Sequence, residues 1–439
     1  MKKWLVALLV LAAVILLLSP GIIGRLAEKQ VQENAQWADD ENVEFSVSTE
    51  SFDRGWFSSA GRHRIVLKSD ELQQKLAGGT RGALPSIIVE TRIDHGIVPF
   101  TSLRSGGGSL RPSLARTVST LQLDPGDGEL VAIPGRIVSE IGLSGETAGH
   151  YRLEAGAFKD TDVTLEWAGA DIEFLLNPAE ARVSAEGEVQ PFSVHSDTAS
   201  AEIGAIRFSG EQAGTSFDFN VGALHLVVGE VSVRDRQGGV TGVGKITLDT
   251  DVKLDQERVN GRSRLKLEAL AIPAVGDLDV SVDLVASRLD AASLGRITRA
   301  LEEAQATANP GQSMSGIYPL IEADLQRFLT AGMELRFEQI DVSLPQGDIT
   351  ARISVMLPEA DATAQFSWAG VLLALDASAD ITVAAALVDM VSGMYPQAAS
   401  LVHNGMLKQN GDSYELQALF ASGLLSVNGM PMPVPLPGM

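Results

Sequence analysis

The chain has 439 residues, 45% hydrophobic and 21% charged, which is the composition of a folded chain with room for one large or two or three ordinary domains. Its 56 acidic residues outweigh 34 basic ones, and the net charge of −22 argues against nucleic acid and against broad adhesion to anionic lipid surfaces. Zero cysteines exclude disulfides, zinc–thiolate sites and cysteine nucleophiles, and aromatics at 5% leave little material for stacking platforms.

The first element is WLVALLVLAAVILLL, residues 4–18, without a charge, a polar group or a breaker. Extended by Ile22 and Ile23, and with Pro20 kinking rather than ending the helix, it crosses a hydrocarbon core of about 30 Å at about 1.5 Å per residue. Lys2 and Lys3 on its short side predict a cytoplasmic N-terminus with the bulk translocated. The rival is a cleaved secretory signal. The basic start and apolar run fit one, but Ser19-Pro20-Gly21-Ile22-Ile23 makes a poor cleavage site. The expected organisation is a membrane anchor at 1–23 and a helical stalk at 24–42 carrying Leu26, Val31 and Trp37.

A β-rich region is expected over 43–284. Val43, Phe45 and Val47 have strand spacing, Gly55 supplies a tight turn, and 62–68 returns as the second strand. Trp56 and Phe57, neighbours in that hairpin, are expected to pack on a core, with a lipid or partner contact as the alternative. A short helix at 71–76, a strand from Ser86 to Arg92 and a flexible loop around Gly106-Gly107-Gly108 follow. From 118 to 284 the chain reads as strands with Gly, Asp and Asn turns. Ile246, Leu248, Val252 and Leu254 keep one parity, and so do Leu278, Val280, Val282 and Leu284, with charged residues between them. This is an antiparallel sheet with one dry and one wet face.

A helical hairpin is expected over 285–332. Asp290 caps its first helix, whose stripe is Leu294, Ile297, Leu301 and Ala304; Asn309-Pro310-Gly311 breaks it; Ile317, Ile321, Leu325 and Phe328 form the stripe of the second. The hairpin is expected on the dry face of the sheet. A C-terminal β/α region spans 333–429. Parity switches between Phe337 and Ile340, which implies a bulge at Glu338-Gln339. Alternation continues from Ile349 to Leu357 and again from Ala362 to Trp368. A mostly helical stretch covers 384–407, interrupted near 393–396, and Asn410-Gly411 is a hairpin turn into strands at 414–420 and 424–427. The proline-rich tail, 430–439, reads as extended or disordered.

Sites are scarce. Asp94-His95 has the residue types of half a catalytic dyad, but neighbours in a strand face apart and no nucleophile is tied to them. His63, His95, His150, His195, His225 and His403 show no metal-binding spacing, and no nucleophile elbow, zinc-protease helix or phosphate-binding loop is present. No catalytic, cofactor-binding or metal-binding residue is assigned, and no cofactor is expected.

SFDRGWFSS at 51–59, IDHGIVPF at 93–100, LPQGDITARISV at 344–355 and the closing stretch 401–429 together resemble the YdgA-like family, with Ile97 where that family's strand usually has proline. The resemblance implies a bacterial inner-membrane protein, single-pass, with most of the chain in the periplasm, and a family without an assigned activity. Two roles follow as expectations. One is a non-enzymatic structural or interaction role in the cell envelope, as an anchored scaffold and possible homo-oligomer. The other is lipid binding or transfer along an open apolar sheet face, similar in architecture to AsmA-like envelope proteins, with phospholipid as the ligand. The fold class expected is mainly β (α+β): an N-terminal transmembrane helix, then an extended antiparallel sheet with a helical hairpin packed on it.

Overall fold

The computed structural model describes residues 45–67, 86–95, 113–124, 130–159, 163–196, 199–217, 219–235, 239–272, 276–307, 318–361 and 365–432. The expected anchor and stalk, the helix at 71–76, the glycine loop at 106–108, the helix break at 309–311 and the tail from 433 on lie outside these residues. No helix among the described residues is long and apolar enough to cross a membrane. The described chain is mainly β and antiparallel, with 26 strands against five α-helices. Its described residues divide into two compact units: those up to 157 with 167–190, and those from 158 to 166 with those from 191 on.

The first unit contains β1 (Phe45–Arg54), β2 (Ser58–Leu67), β3 (Ser86–His95), β4 (Ala115–Asp124), β5 (Val131–Ile141) and β6 (Thr147–Leu153). After β7 (Gly156–Lys159) and β8 (Val163–Trp167), which lead to the second unit, β9 (Ala170–Asn177) and β10 (Arg182–Val189) complete it. The pairing order is β1-β2-β3-β4-β5-β6-β9-β10, antiparallel throughout. Odd-numbered positions of β3 and β4 point to one face, where Ile93, Ala115 and Ile141 form a buried cluster flanked by Phe52 and Leu114. The β4–β5 register shifts between Ser119 and Leu121, opposite Pro134 and Gly135. A proline there has no ladder N–H to give, and Gly135 at φ 141° lies so close to the Arg152 carbonyl that a Cβ would collide with it.

The expected β1–β2 hairpin is present, with the Gly55 N–H donating to the Ser58 carbonyl at 2.9 Å. The expectation for its aromatics is corrected. Trp56 and Phe57 lie in the turn, beyond the last pair Arg54–Ser59, and are 55% and 39% exposed. No residue of β1 stands opposite either of them to cover it.

The second unit contains β11 (Phe192–Ser196), β12 (Ala199–Ile203), β13 (Ile206–Gly214), β14 (Asn220–Val228), β15 (Val231–Asp235), β16 (Val240–Val243), β17 (Lys245–Asp255), β18 (Arg258–Ile272) and β19 (Gly276–Asp290). Then come α1 (Ala291–Thr307), α2 (Tyr318–Thr330), β20 (Met333–Leu344), β21 (Gly347–Leu357), α3 (Trp368–Ala374), β22 (Asp376–Ala384), α4 (Ala385–Met394) and α5 (Pro396–His403). β23 (Lys408–Asn410), β24 (Ser413–Ala421), β25 (Leu424–Val427) and β26 (Met430–Met432) close it. Its main order is β13-β14-β17-β18-β19-β20-β21-β22-β24-β25-β26. A second run, β11-β12-β15-β16, meets β18 through Gly242 and Ala271.

The two runs meet at a line of breaks. Gly204 N–H donates to Glu230 at 2.7 Å, Gly229 N–H to Ala205 at 2.8 Å and Gly244 N–H to Glu268 at 2.8 Å. A Cβ on Gly204 would stand 2.9 Å from the Glu230 nitrogen, so the two backbones meet at this distance only with glycine there. β18 crosses the same line through a register shift between Leu267 and Leu270, with Ala269 at φ 52°.

Several expectations hold. Asp290 caps α1 by accepting from the Ser293 N–H at 2.8 Å, and α1 and α2 pair as a hairpin. The bulge is where parity placed it, with both neighbours of β20 shifting register between Phe337 and Ile340. Helices α4 and α5 break at Tyr395-Pro396, and Gly411 turns β23 into β24 at φ 61°. One is corrected. The alternation to Trp368 does not end in a strand: Ser367 accepts from the Gly370 N–H at 3.0 Å and starts α3 there. The tail, expected to be extended, begins as strand: Met430–Met432 pairs with β25, with Pro431 on an edge where its missing N–H is harmless. Gly295 of α1 abuts Phe217 and Phe219 at the β13–β14 turn. On the dry face of β18 and β19, Val259 and Leu278 are buried, and Leu265, Leu267, Val280 and Val282 stay half-buried.

Candidate functional site

The catalytic candidate resolves first. Asp94 and His95 face apart, as strand neighbours must. Asp94 lies 3.3 Å from Arg92 on the polar face. His95 turns into the core, where its Nε2 is 3.1 Å from Ser59 Oγ. A serine beside a histidine is a nucleophile–base pairing by type, and sequence distance hid it. Both residues are buried next to Ile93. The hydroxyl is sealed from solvent, and the pair links β2 to β3. The other histidines disperse. His63 Nδ1 meets Thr49 Oγ1 at 3.0 Å, and burial pushes its imidazole pKa down. His150 Nε2 meets Asp171 at 2.6 Å and His225 Nδ1 meets Asp249 at 2.5 Å, both at the surface. His195 stands opposite Ser200, and His403 ends α5. Among the described residues no three His, Asp or Glu converge as metal ligands.

The polar face of the first unit holds two clefts. One, of about 770 Å³, has Arg62, Glu90, Arg92, Asp94, Arg116 and Arg136 among its lining. The other, of about 490 Å³, shares Arg116 and Arg136 and adds Glu140, His150, Arg152 and Glu173. Most of these charges are paired. Arg62 bridges Glu50 at 2.8 Å and Glu90 at 2.6 Å, and Arg64 bridges Glu50 at 2.5 Å and Asp124 at 2.7 Å. The Arg64 guanidinium, then Arg62, holds the Glu50 carboxyl below the usual carboxylate range; His150, then Arg152, does the same for Asp171. Nothing in the residue string marked these clefts, because only the strand register brings the arginines together.

The second unit carries the larger feature. Rows of directly opposed residues run across its main sheet. One row is Phe208, Leu226, Leu248, Leu265, Val282, Ile340, Ala351, Ile381 and Leu416, one residue from each of nine strands, β13 to β24. The next row on the same face is Ile206, Val228, Ile246, Leu267, Val280, Val342, Ile349, Val383 and Tyr414. Of these, only Ala351 is buried; the rest are half-buried. The opposite face is charged, with Arg262 bridging Asp283 at 2.5 Å and Glu338 at 3.0 Å. Arg262, then Arg264, holds the Asp283 carboxyl below its usual range. Period-2 alternation in each strand, together with a register that keeps parity aligned across nine of them, yields one continuous apolar face.

This apolar face is the candidate functional site, and the arginine clefts are the second. No curated protein and no solved structure matches the chain. A family model described as a bacterial protein of unknown function, DUF945, matches residues 1–435, in keeping with the YdgA-like resemblance of the hairpin and closing segments. Spanned by that model almost from end to end, the chain belongs to the DUF945 family of bacterial proteins.

Proposed function

We propose that this is a non-enzymatic, membrane-anchored protein of the bacterial envelope whose second unit holds acyl chains against its apolar sheet face. The observation that carries the reading is the pair of nine-residue rows, apolar except for the Tyr414 hydroxyl, of which only one member is buried. A protein core of this composition closes over itself, since exposed apolar area costs about 25 cal/mol per Å². A long apolar face left half-covered marks a surface with a partner. Lipid tails suit it because the two rows offer no hydrogen-bond group before Tyr414 and no pocket of fixed length. The uncharged run at residues 4–18, with Lys2 and Lys3 before it, supports an inner-membrane anchor with the sheet in the periplasm.

Photo-crosslinking in cells tests the reading face by face. A photoreactive residue at Val282 or Ile340, opposite each other on the apolar face, is expected to capture phospholipid. The same residue at Ser281 or Asp341, opposite each other on the polar face, is expected to capture none. Lipid labelling that ignores the face would sink the proposal. Crosslinks from Val282 to a second copy of the chain would instead favour the envelope scaffold.

A further inference from the structure

The first unit contains two arginines that face each other where the chain had carboxylates to spare. β5 and β6 pair so that Arg136 stands directly opposite Arg152, and on the neighbouring pair Arg116 stands opposite Glu140. Direct opposition brings Cβ atoms to about 5 Å, and like charges placed so repel. The protein elsewhere separates its cations with carboxylates: Arg62 lies between Glu50 and Glu90, and Arg262 between Asp283 and Glu338. Arg152 is held by Asp171 at 2.9 Å. Arg136 is exposed and forms no ion pair among the described residues. With Arg116 and His150, both arginines line the 490 Å³ cleft; Glu140 and Glu173 line it too.

We propose that Arg136 and Arg152, with Arg116 beside them, bind the phosphate group of a phosphate ester. A guanidinium offers paired N–H donors that match two phosphate oxygens, and an anion between Arg136 and Arg152 turns their repulsion into attraction for the ligand. Phosphate, with up to two charges and three free oxygens, takes the Arg136 fork and the Arg152 N–H groups not given to Asp171 at once, whereas a carboxylate has two oxygens to share. The source is a soluble phosphate or a phospholipid headgroup. The site belongs to the first unit and does not depend on the acyl-chain reading of the second.

The test uses the full chain in dodecyl maltoside, a phosphate-free detergent, and follows the thermal midpoint. Sodium phosphate is titrated against sodium chloride at equal ionic strength, and phosphatidic acid in mixed micelles against diacylglycerol. Phosphate or phosphatidic acid is expected to raise the midpoint of the native chain. Arg136→Gln and Arg152→Gln are each expected to shift the half-maximal concentration upward by about tenfold or more, the scale of a lost charge-assisted bond. Arg264→Gln, in the second unit, is expected to respond as the native chain does. Without ligand, Arg136→Gln is expected to be at least as stable as the native chain, so a lost response is not misfolding. A response to both ligands assigns the site to phosphate as such, and a response to phosphatidic acid alone assigns it to the headgroup. A response that survives both substitutions, or no response to either ligand, overturns the proposal.

Discussion

The two units treat their dry faces differently. In the first, the face is closed around one cluster: Ile93 and Ala115 are 0% exposed and Ile141 is 4% exposed, while Ile87, farther back on β3, is 36% exposed. Yet it is not purely apolar. Thr91 and Ser119 meet at 2.7 Å, Thr117 and Ser139 at 2.6 Å, and Ser59 and His95 at 3.1 Å. In the second unit the face is nearly free of polar groups, yet it is buried only at scattered positions such as Val259, Leu278, Ala351 and Leu357. Hydrophobicity and burial therefore part company. A closed face tolerates these hydroxyls because a strand neighbour, directly opposed for Thr91–Ser119 and Thr117–Ser139 and diagonal for Ser59–His95, supplies the partner. An open face whose occupant has no hydrogen-bonding groups gains nothing from them.

The sharpest way to break this comparison is to remove equal volume from both faces. Ile93→Ala leaves a cavity in a sealed cluster and is expected to cost about 2–5 kcal/mol in chemical denaturation. Leu265→Ala, in the middle of the open face, is expected to cost clearly less, because solvent or lipid refills the space. Equal losses would mean that the second face is sealed as well.

The hydroxyl ladder gives a smaller effect. Ser119→Ala strands the Thr91 hydroxyl inside the sheet and is expected to lower stability by about 1 kcal/mol. Thr91→Val combined with Ser119→Ala removes donor and acceptor together and is expected to recover most of that loss. A double variant as unstable as the sum of two singles would show that the pair is not the partner each hydroxyl needs.

Acidification separates the units most gently. Burial depresses the folded pKa of His63, so the unfolded chain takes up its proton first. Stability is expected to decline as pH falls below about 6.5, and His63→Gln is expected to flatten that decline. Asp283 is depressed by Arg262, so its contribution is present above about pH 4 and is lost below it as the carboxyl protonates. Asp283→Asn is expected to remove that later step from the second unit, while Glu50 and Asp171 keep one in the first, and to leave the His63 window intact. Hydrogen exchange followed separately in each unit reads both, and a second unit that weakens in the His63 window together with the first would undo the assignment.

The amino-acid sequence by itself determined the strands, because period-2 alternation is a local property. The parity of Ile246 to Leu254 and of Leu278 to Leu284, the bulge between Phe337 and Ile340, the Asp290 cap and the Asn410-Gly411 turn are each written within a few residues. The family was also readable there, from the hairpin at 51–59 and the closing segment. The start of α3 was less legible, since Ser367 caps a helix at the very point where Phe366 and Trp368 keep strand spacing. Which strands stand beside which, and in what register, only the tertiary structure decided. That choice aligned nine strands into one apolar face, set Arg136 against Arg152 and buried Ser59 against His95. Side-chain parity is fixed by the backbone of a single strand, but a functional face is made of residues as far apart as Ile206 and Leu416, and no local pattern encodes their meeting.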